Sequence, residues 1–191
     1  HGMVIESTRN ETVERARALA QRKGRLEQGV HFIEGEKLVR EAVVSGAQFV
    51  DAFIEDGHDL MAAVLSGSGA NVYTVRRSVM ESLTQTGTPQ WVCATVKTPE
   101  QPIPEYYPAG LIVALDCVQD PGNLGTILRT ADAMGACGLL LGEGCADPYA
   151  PKPLRAAMGS IYHITVWQGN LENEVARLAA QGFTLVCGHL K

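Results

Sequence analysis

The sequence predicts an α/β protein built as two units in tandem. Three observations carry this. Strand-like and helix-like runs alternate along almost the whole chain, four prolines fall within residues 98–108, and a near-continuous apolar run at 111–117 opens a second alternation after them. At the start, His1-Gly2-Met3 reads as an expression remnant ahead of an initiator Met3. Residues 11–23 then favour helix, with Gly24 placed to end it. After them 30–33 is strand-like, 36–44 helically spaced, 49–54 strand, 60–65 helix, 72–75 strand, 77–83 helix and 91–96 strand. Together these make a first α/β unit, 3–97. Proline joins neither a helix interior nor a central strand, so 98–110 is the linker between units. In the second unit, 111–191, the run at 111–117 has the composition of a parallel strand buried on both faces. Helix 123–134, strand 138–141, a loop and short helix through Met158, strand 161–166, helix 171–181 and strand 183–187 follow.

Composition narrows the classes. With 46% hydrophobic and 19% charged residues, 20 Gly and 9 Pro, the chain is neither disordered nor collagen-like. No apolar run approaches the roughly 18 residues that span a bilayer, and the polar start lacks the apolar stretch of a secretory signal. The expectation is a soluble, cytoplasmic protein with no membrane partner. Cys93, Cys117, Cys137, Cys145 and Cys187 contain no C-x-x-C pair, which argues against a zinc cage or disulfide framework; they read as small buried hydrophobes. His31, His58, His163 and His189 are scattered without metal-ligand spacing and read as structural or surface groups. The net charge of -5 excludes wholesale coating of nucleic acid, yet Arg9, Arg15, Arg17, Arg22, Lys23 and Arg25 face only Glu11 and Glu14 in their segment. Such a basic arm contacts phosphate or is simply a solvated helix face; charge alone leaves both open.

The most informative stretch is 116–135. A buried strand ends at Asp116, Pro121 and Gly122 turn the chain, Asn123 can cap a helix and Gly135 can terminate it. Leu124, Ile127, Leu128, Ala131 and Met134 share one helical face, which places Arg129 opposite. From there Arg129 leans back over Gly125 toward the crevice at the carboxyl ends of the strands. Anything bound in that crevice would meet Asn123 and Arg129 together. The alternative is that Asn123 is only a cap and Arg129 a solvated cation paired with Asp132 three residues on. A dinucleotide fold fits less well, because the turn offers Gly122-x-x-Gly125 and Gly142-Glu143-Gly144 opens no helix.

Residues 123–129, Asn-Leu-Gly-Thr-Ile-Leu-Arg, fit N-x-G-x-x-x-R, and the stretch resembles the first motif of the SpoU (TrmH) family of RNA ribose 2′-O-methyltransferases in the SPOUT superfamily. Residues 147–166 are similar to the family's P-K-x-x-R-A-S-x-G segment, with Ala157 where serine is usual. Residues 25–42, with Phe32-Ile33-Glu34-Gly35, and Thr86-Gly87-Thr88-Pro89-Gln90 resemble the family's appended substrate-binding domain, itself similar to a ribosomal RNA-binding protein. The resemblance implies S-adenosylmethionine as cofactor, transfer to a ribose 2′-hydroxyl of structured RNA, ribosomal more than transfer RNA, and a homodimer. It makes Arg129 the catalytic arginine and Asn123 its partner. It also makes Gly188, His189 and Leu190 a border of the cofactor, and Arg9, Arg22, Lys23, Arg25, Lys152 and Arg155 candidate RNA contacts, the last two in a loop.

The family's second and third motifs, which build its deep trefoil knot and most of its cofactor pocket, are expected beyond residue 191. The fold expected is therefore a ribosomal-protein-like α/β RNA-binding domain followed by a SPOUT-type parallel α/β domain incomplete at its C-terminus. A non-catalytic RNA-binding protein, a transfer RNA methyltransferase and an unrelated nucleotide-binding α/β enzyme are the rival readings.

Overall fold

The structure, a computed structural model, describes residues 3–84 and 86–188. Its first sheet has five strands, β1 (Met3–Ile5), β2 (Val30–Glu34), β3 (Phe49–Glu55), β4 (Asn71–Val75) and β5 (Val92–Lys97), in the order β1-β4-β3-β5-β2. β1, β4 and β3 run parallel, whereas β5 is antiparallel to both β3 and β2. Successive strand residues serve opposite faces. Ile33, Ala52, Ile54, Val92, Ala94 and Val96 pack beneath α3 (Glu36–Val44) and α4 (Asp59–Gly67), while Phe32, Phe53 and Cys93 pack beneath α1 (Glu11–Arg17) and α5 (Arg77–Leu83).

The basic helix does not run through to Gly24. It breaks at Gln21, and α2 (Arg22–Gln28) starts afresh and ends on Gly29 in the left-handed conformation. Gly24 lies inside α2 because a Cβ there would stand 2.2 Å from the Ala18 carbonyl oxygen. Glycine serves close approach here, not termination. β1 was too short to register as a strand in the sequence.

The second sheet is parallel, β6 (Ile112–Leu115), β7 (Gly138–Leu141) and β8 (Thr165–Gln168), in chain order. α6 (Pro121–Ala133) and α7 (Pro151–Ala157) cover one face, and α8 (Leu171–Ala180) with Tyr107 and Trp167 covers the other. The α/β expectation holds for both units, with three local corrections. β6 is half-exposed and pairs only with β7 among the described strands, so its apolar run is not buried on both faces. Residues 160–162 form a 3-10 turn before β8, because Ile161 and Ile164, both buried three residues apart, suit a three-residue turn and not a strand of period two. Residues 183–187 are coil, Phe183 half-buried against the Tyr107–Trp167 cluster and 184–187 exposed, with Val186 93% accessible; the run has a strand's composition, but no described strand pairs with it. Of the cysteines only Cys93 is buried; Cys137 and Cys145 are half-buried, and Cys117 and Cys187 are exposed at positions outside the strands.

The units share one continuous core that runs from Val39 and Ile54 to Leu124, Leu128 and Leu154. The proline segment is docked as well. Tyr107 is buried, its hydroxyl donates to Glu174 at 2.9 Å, and Arg177 donates to the carbonyls of Pro104 and Glu105. At the junction Arg25, 8% exposed, pairs with Asp147 at 3.0 Å and donates to the Leu19 and Ala20 carbonyls. Nearby, buried His31 hydrogen-bonds Thr98 and Tyr162, each at 2.9 Å.

Two outcomes test this junction. Arg25→Gln strands Asp147 in a largely dry site and should cost about 3 kcal/mol in chemical denaturation. Burial holds His31 neutral by pulling its pKa from 6.5 to about 3. Below pH 6.5 the unfolded chain therefore takes up a proton that the folded chain refuses, and stability falls with pH by about 1.4 kcal/mol per unit. His31→Gln should remove that slope between pH 6 and 4, read from denaturation midpoints.

Candidate functional site

Helix α6 carries the motif residues. Asp120 is its N-cap, its carboxylate accepting from the Asn123 backbone N–H at 2.7 Å, and Pro121 occupies the first turn. Asn123 is thus not the cap, as its position after Pro121-Gly122 had suggested; its exposed side chain is left to other partners. Leu124, Leu128 and Ala131 are buried as the spacing predicts, but Met134 is 67% exposed because the helix stops at Ala133 and Gly135 turns away at φ +77°. Arg129 stands exposed on the face turned from the core.

Gly125 is not an opening beneath Arg129. A Cβ there would lie 2.6 Å from both Ala156 Cβ and the Pro153 carbonyl oxygen, so glycine lets α7 press against α6. Asn123 and Arg129 are six residues apart, about 9 Å along the axis and about 120° around it, and among the described residues no hydrogen bond joins them. Arg129 does not pair with Asp132 either. The Asp132 carboxylate accepts from Ser160 Oγ and from His163 Nδ1, each at 2.8 Å. His163 reaches Glu41 of α3 through its other nitrogen. Its hydrogen bonds to Asp132 and then to Glu41 hold the imidazole pKa above its ordinary value. The stabilisation it provides is complete below pH 6.5 and is lost as pH rises through that raised value, the opposite sense to His31.

The remaining predicted residues divide. Lys152 and Arg155 lie on α7, not in a loop, because Pro151 and Pro153 occupy a first helical turn, where proline is tolerated. Lys152 is exposed and passes over the start of α6, its Cε 3.7 Å from where a Gly122 Cβ would be. Arg155 pairs across the junction with buried Glu34 at 3.4 Å. With Lys37, Arg40, Trp91 and Met158 it lines a groove of about 640 Å³ between the units that the sequence did not reveal. Arg25 is buried and paired with Asp147, at the wall of a cavity of about 350 Å³ that Arg22 and Tyr149 also line; its place in a basic run hid a long-range partner. Arg9, Arg22 and Lys23 are exposed, Lys23 loosely paired with Glu27 at 3.8 Å. Arg22 lies beside a cavity of about 270 Å³ at the carboxyl ends of β7 and β8, lined by Gly142, Gly144, Cys145, Gln168 and Gly169.

Gly188 is exposed, with nothing within 4 Å of the position its Cβ would take; His189 and Leu190 lie outside the described residues. Among the described residues there is no cluster able to hold a metal ion and no helix long and apolar enough to cross a membrane.

The geometry is thus a helix with an exposed, unpaired arginine at the edge of a parallel α/β unit, with a second α/β unit docked beside it, and comparison with known proteins gives it a class. Residues 110–191 match the SpoU rRNA Methylase family and residues 10–94 the MRM3-like substrate binding domain. The chain is 36% identical over 178 residues to the 23S rRNA (guanosine(2553)-2'-O)-methyltransferase RlmP of Bacillus subtilis, covering 93% of this chain and 70% of that protein. It superposes on an rRNA methyltransferase from Sinorhizobium meliloti with a TM-score of 0.85 at 35% identity, covering 94% of this chain and 70% of the other. An AdoMet-bound form of the Sinorhizobium meliloti enzyme gives a TM-score of 0.83 at 35% identity with the same coverage. The chain belongs to the SpoU rRNA methylase family.

The close approach of α6 and α7 yields a test. Gly125→Val should destabilise by about 1–3 kcal/mol through forced separation of the helices. The change should appear as a lowered denaturation midpoint.

Proposed function

We propose that this protein transfers a methyl group from S-adenosylmethionine to a ribose 2′-hydroxyl of ribosomal RNA. The observation that carries the reading is Arg129, exposed and without an ion-pair partner among the described residues, within an N-x-G-x-x-x-R helix. S-adenosylmethionine supplies the methyl group when bound. Arg129, Asn123 and Lys152 act on the RNA side of the reaction.

A guanidinium is protonated at all working pH values and makes a poor base. Arg129 acts instead as a fixed cation that grips the neighbouring phosphate through two parallel N–H donors, or steadies negative charge developing on the 2′-oxygen. Asn123 offers an amide at the start of the same helix. Lys152, across Gly122, adds a point charge suited to a phosphate. The 2′-hydroxyl marks the substrate as RNA. Residues 3–97 form the RNA-binding unit, 98–110 the linker and 111–191 the methylase unit. Arg9, Arg22 and Lys23 meet phosphates and set register without reading sequence. A homodimer working in the cytoplasm, with ribosomal RNA as partner, completes the reading.

Calorimetric titration of S-adenosylmethionine into this chain and into the full product of its gene tests the cofactor. Tritium transfer to 23S ribosomal RNA tests the reaction. Arg129→Ala should lower transfer at least about 100-fold and, being exposed, leave the denaturation midpoint unchanged. Absence of cofactor binding by both proteins would leave an RNA-binding module as the better account.

A further inference from the structure

We propose that Ser160 and His163 are positioning residues that hold the Asp132 carboxylate away from Arg129 and so keep the guanidinium free for RNA. The inference rests on the reading of Arg129 as an RNA contact. Residues three apart on a helix are neighbours, and an aspartate at that distance is an arginine's nearest competitor for its intended anion. In α6 that competitor is Asp132, yet no ion pair forms with Arg129 among the described residues.

The reason is visible in the geometry. Ser160 Oγ and His163 Nδ1 both donate to one oxygen of Asp132, at 2.8 Å each, drawing the carboxylate toward the 3-10 turn. His163 is in turn anchored by Glu41, which belongs to α3 in the other unit. Gly159 makes the anchorage possible. Its φ is +93°, and a Cβ there would stand 2.5 Å from Glu41 Cγ. A side chain at 159 would push Glu41 off the imidazole. Flanked by two carboxylates, the imidazole is held toward its cationic form, which donates from both nitrogens and partly neutralises Asp132. Docking of the first unit is thereby coupled to the availability of a cation in the second.

The experiment compares Ser160→Ala/His163→Gln with the same pair carrying Asp132→Asn. One readout is exchange of the Arg129 Nε proton with solvent by 15N NMR. The other is affinity for an in vitro transcript of 23S ribosomal RNA as a function of salt. In the native chain the Nε proton of exposed Arg129 should exchange freely. In Ser160→Ala/His163→Gln the released Asp132 should capture Arg129, slow that exchange, weaken RNA binding to the level of Arg129→Gln and flatten the log–log salt slope by about 1. Adding Asp132→Asn, which cannot form the ion pair, should restore both. A merely structural role for Ser160 and His163 would not be rescued in this way. If Arg129→Gln weakens binding but Ser160→Ala/His163→Gln changes neither binding nor exchange, the proposal is overturned while the RNA contact stands. If Arg129→Gln leaves affinity and slope unaltered, the contact itself is wrong and the proposal falls with it.

Discussion

Two charges that would be costly to bury alone meet where the units join. Arg25 has given up its water for Asp147 and two carbonyl oxygens, and Asp147 stands at the head of the loop leading into α7. Neither group is satisfied unless the first unit sits where it does. That placement brings β2 to His31's partners, Glu34 to Arg155 and Glu41 to His163. The apolar core then closes across the same boundary. An ion pair of this kind adds little net stability over a well-packed apolar pair, but it fixes orientation, because a sliding apolar contact would leave both charges stranded.

The orientation matters for chemistry because α6 and α7 are both core elements and carriers of function. Their buried faces, Leu124, Leu128, Leu154 and Ala157, belong to the shared core, while Arg129 and Lys152 stand on the outside. Gly125 reconciles the two demands by letting the helix backbones approach. The motif's glycine is thus a packing residue and its arginine a surface one.

Much of the architecture was legible in the sequence. The periods of 3.6 and 2 located α3, α5 and β7 with their observed limits, since each has one strongly apolar face or is apolar throughout. Local pattern failed where a residue answers to a distant partner. Gly24 looked like a helix stop because the Ala18 carbonyl above it leaves no trace in composition. Arg25 looked like part of a basic arm because Asp147 lies 122 residues away. The run at 183–187 has strand composition without a described neighbour to pair with. Of the candidate site, Arg129 and its exposure were legible from spacing. The ring of Ser160, His163 and Glu41 around Asp132 was not, for it joins three elements that only the tertiary fold assembles.

The distance in sequence between Arg25 and Asp147 also bears on how the protein is made. All five strands of the first sheet lie within the first 97 residues, so that unit can pair its backbone while the ribosome is still producing the rest. During that interval Arg25 lacks Asp147, His31 lacks Tyr162 and Glu34 lacks Arg155, and the apolar residues that later meet Leu124, Leu128 and Leu154 have no second unit against them. The nascent chain thus carries a half-built joint that only the later residues can close. A pause in translation between the two units would prolong exposure of the very surface on which the finished protein depends.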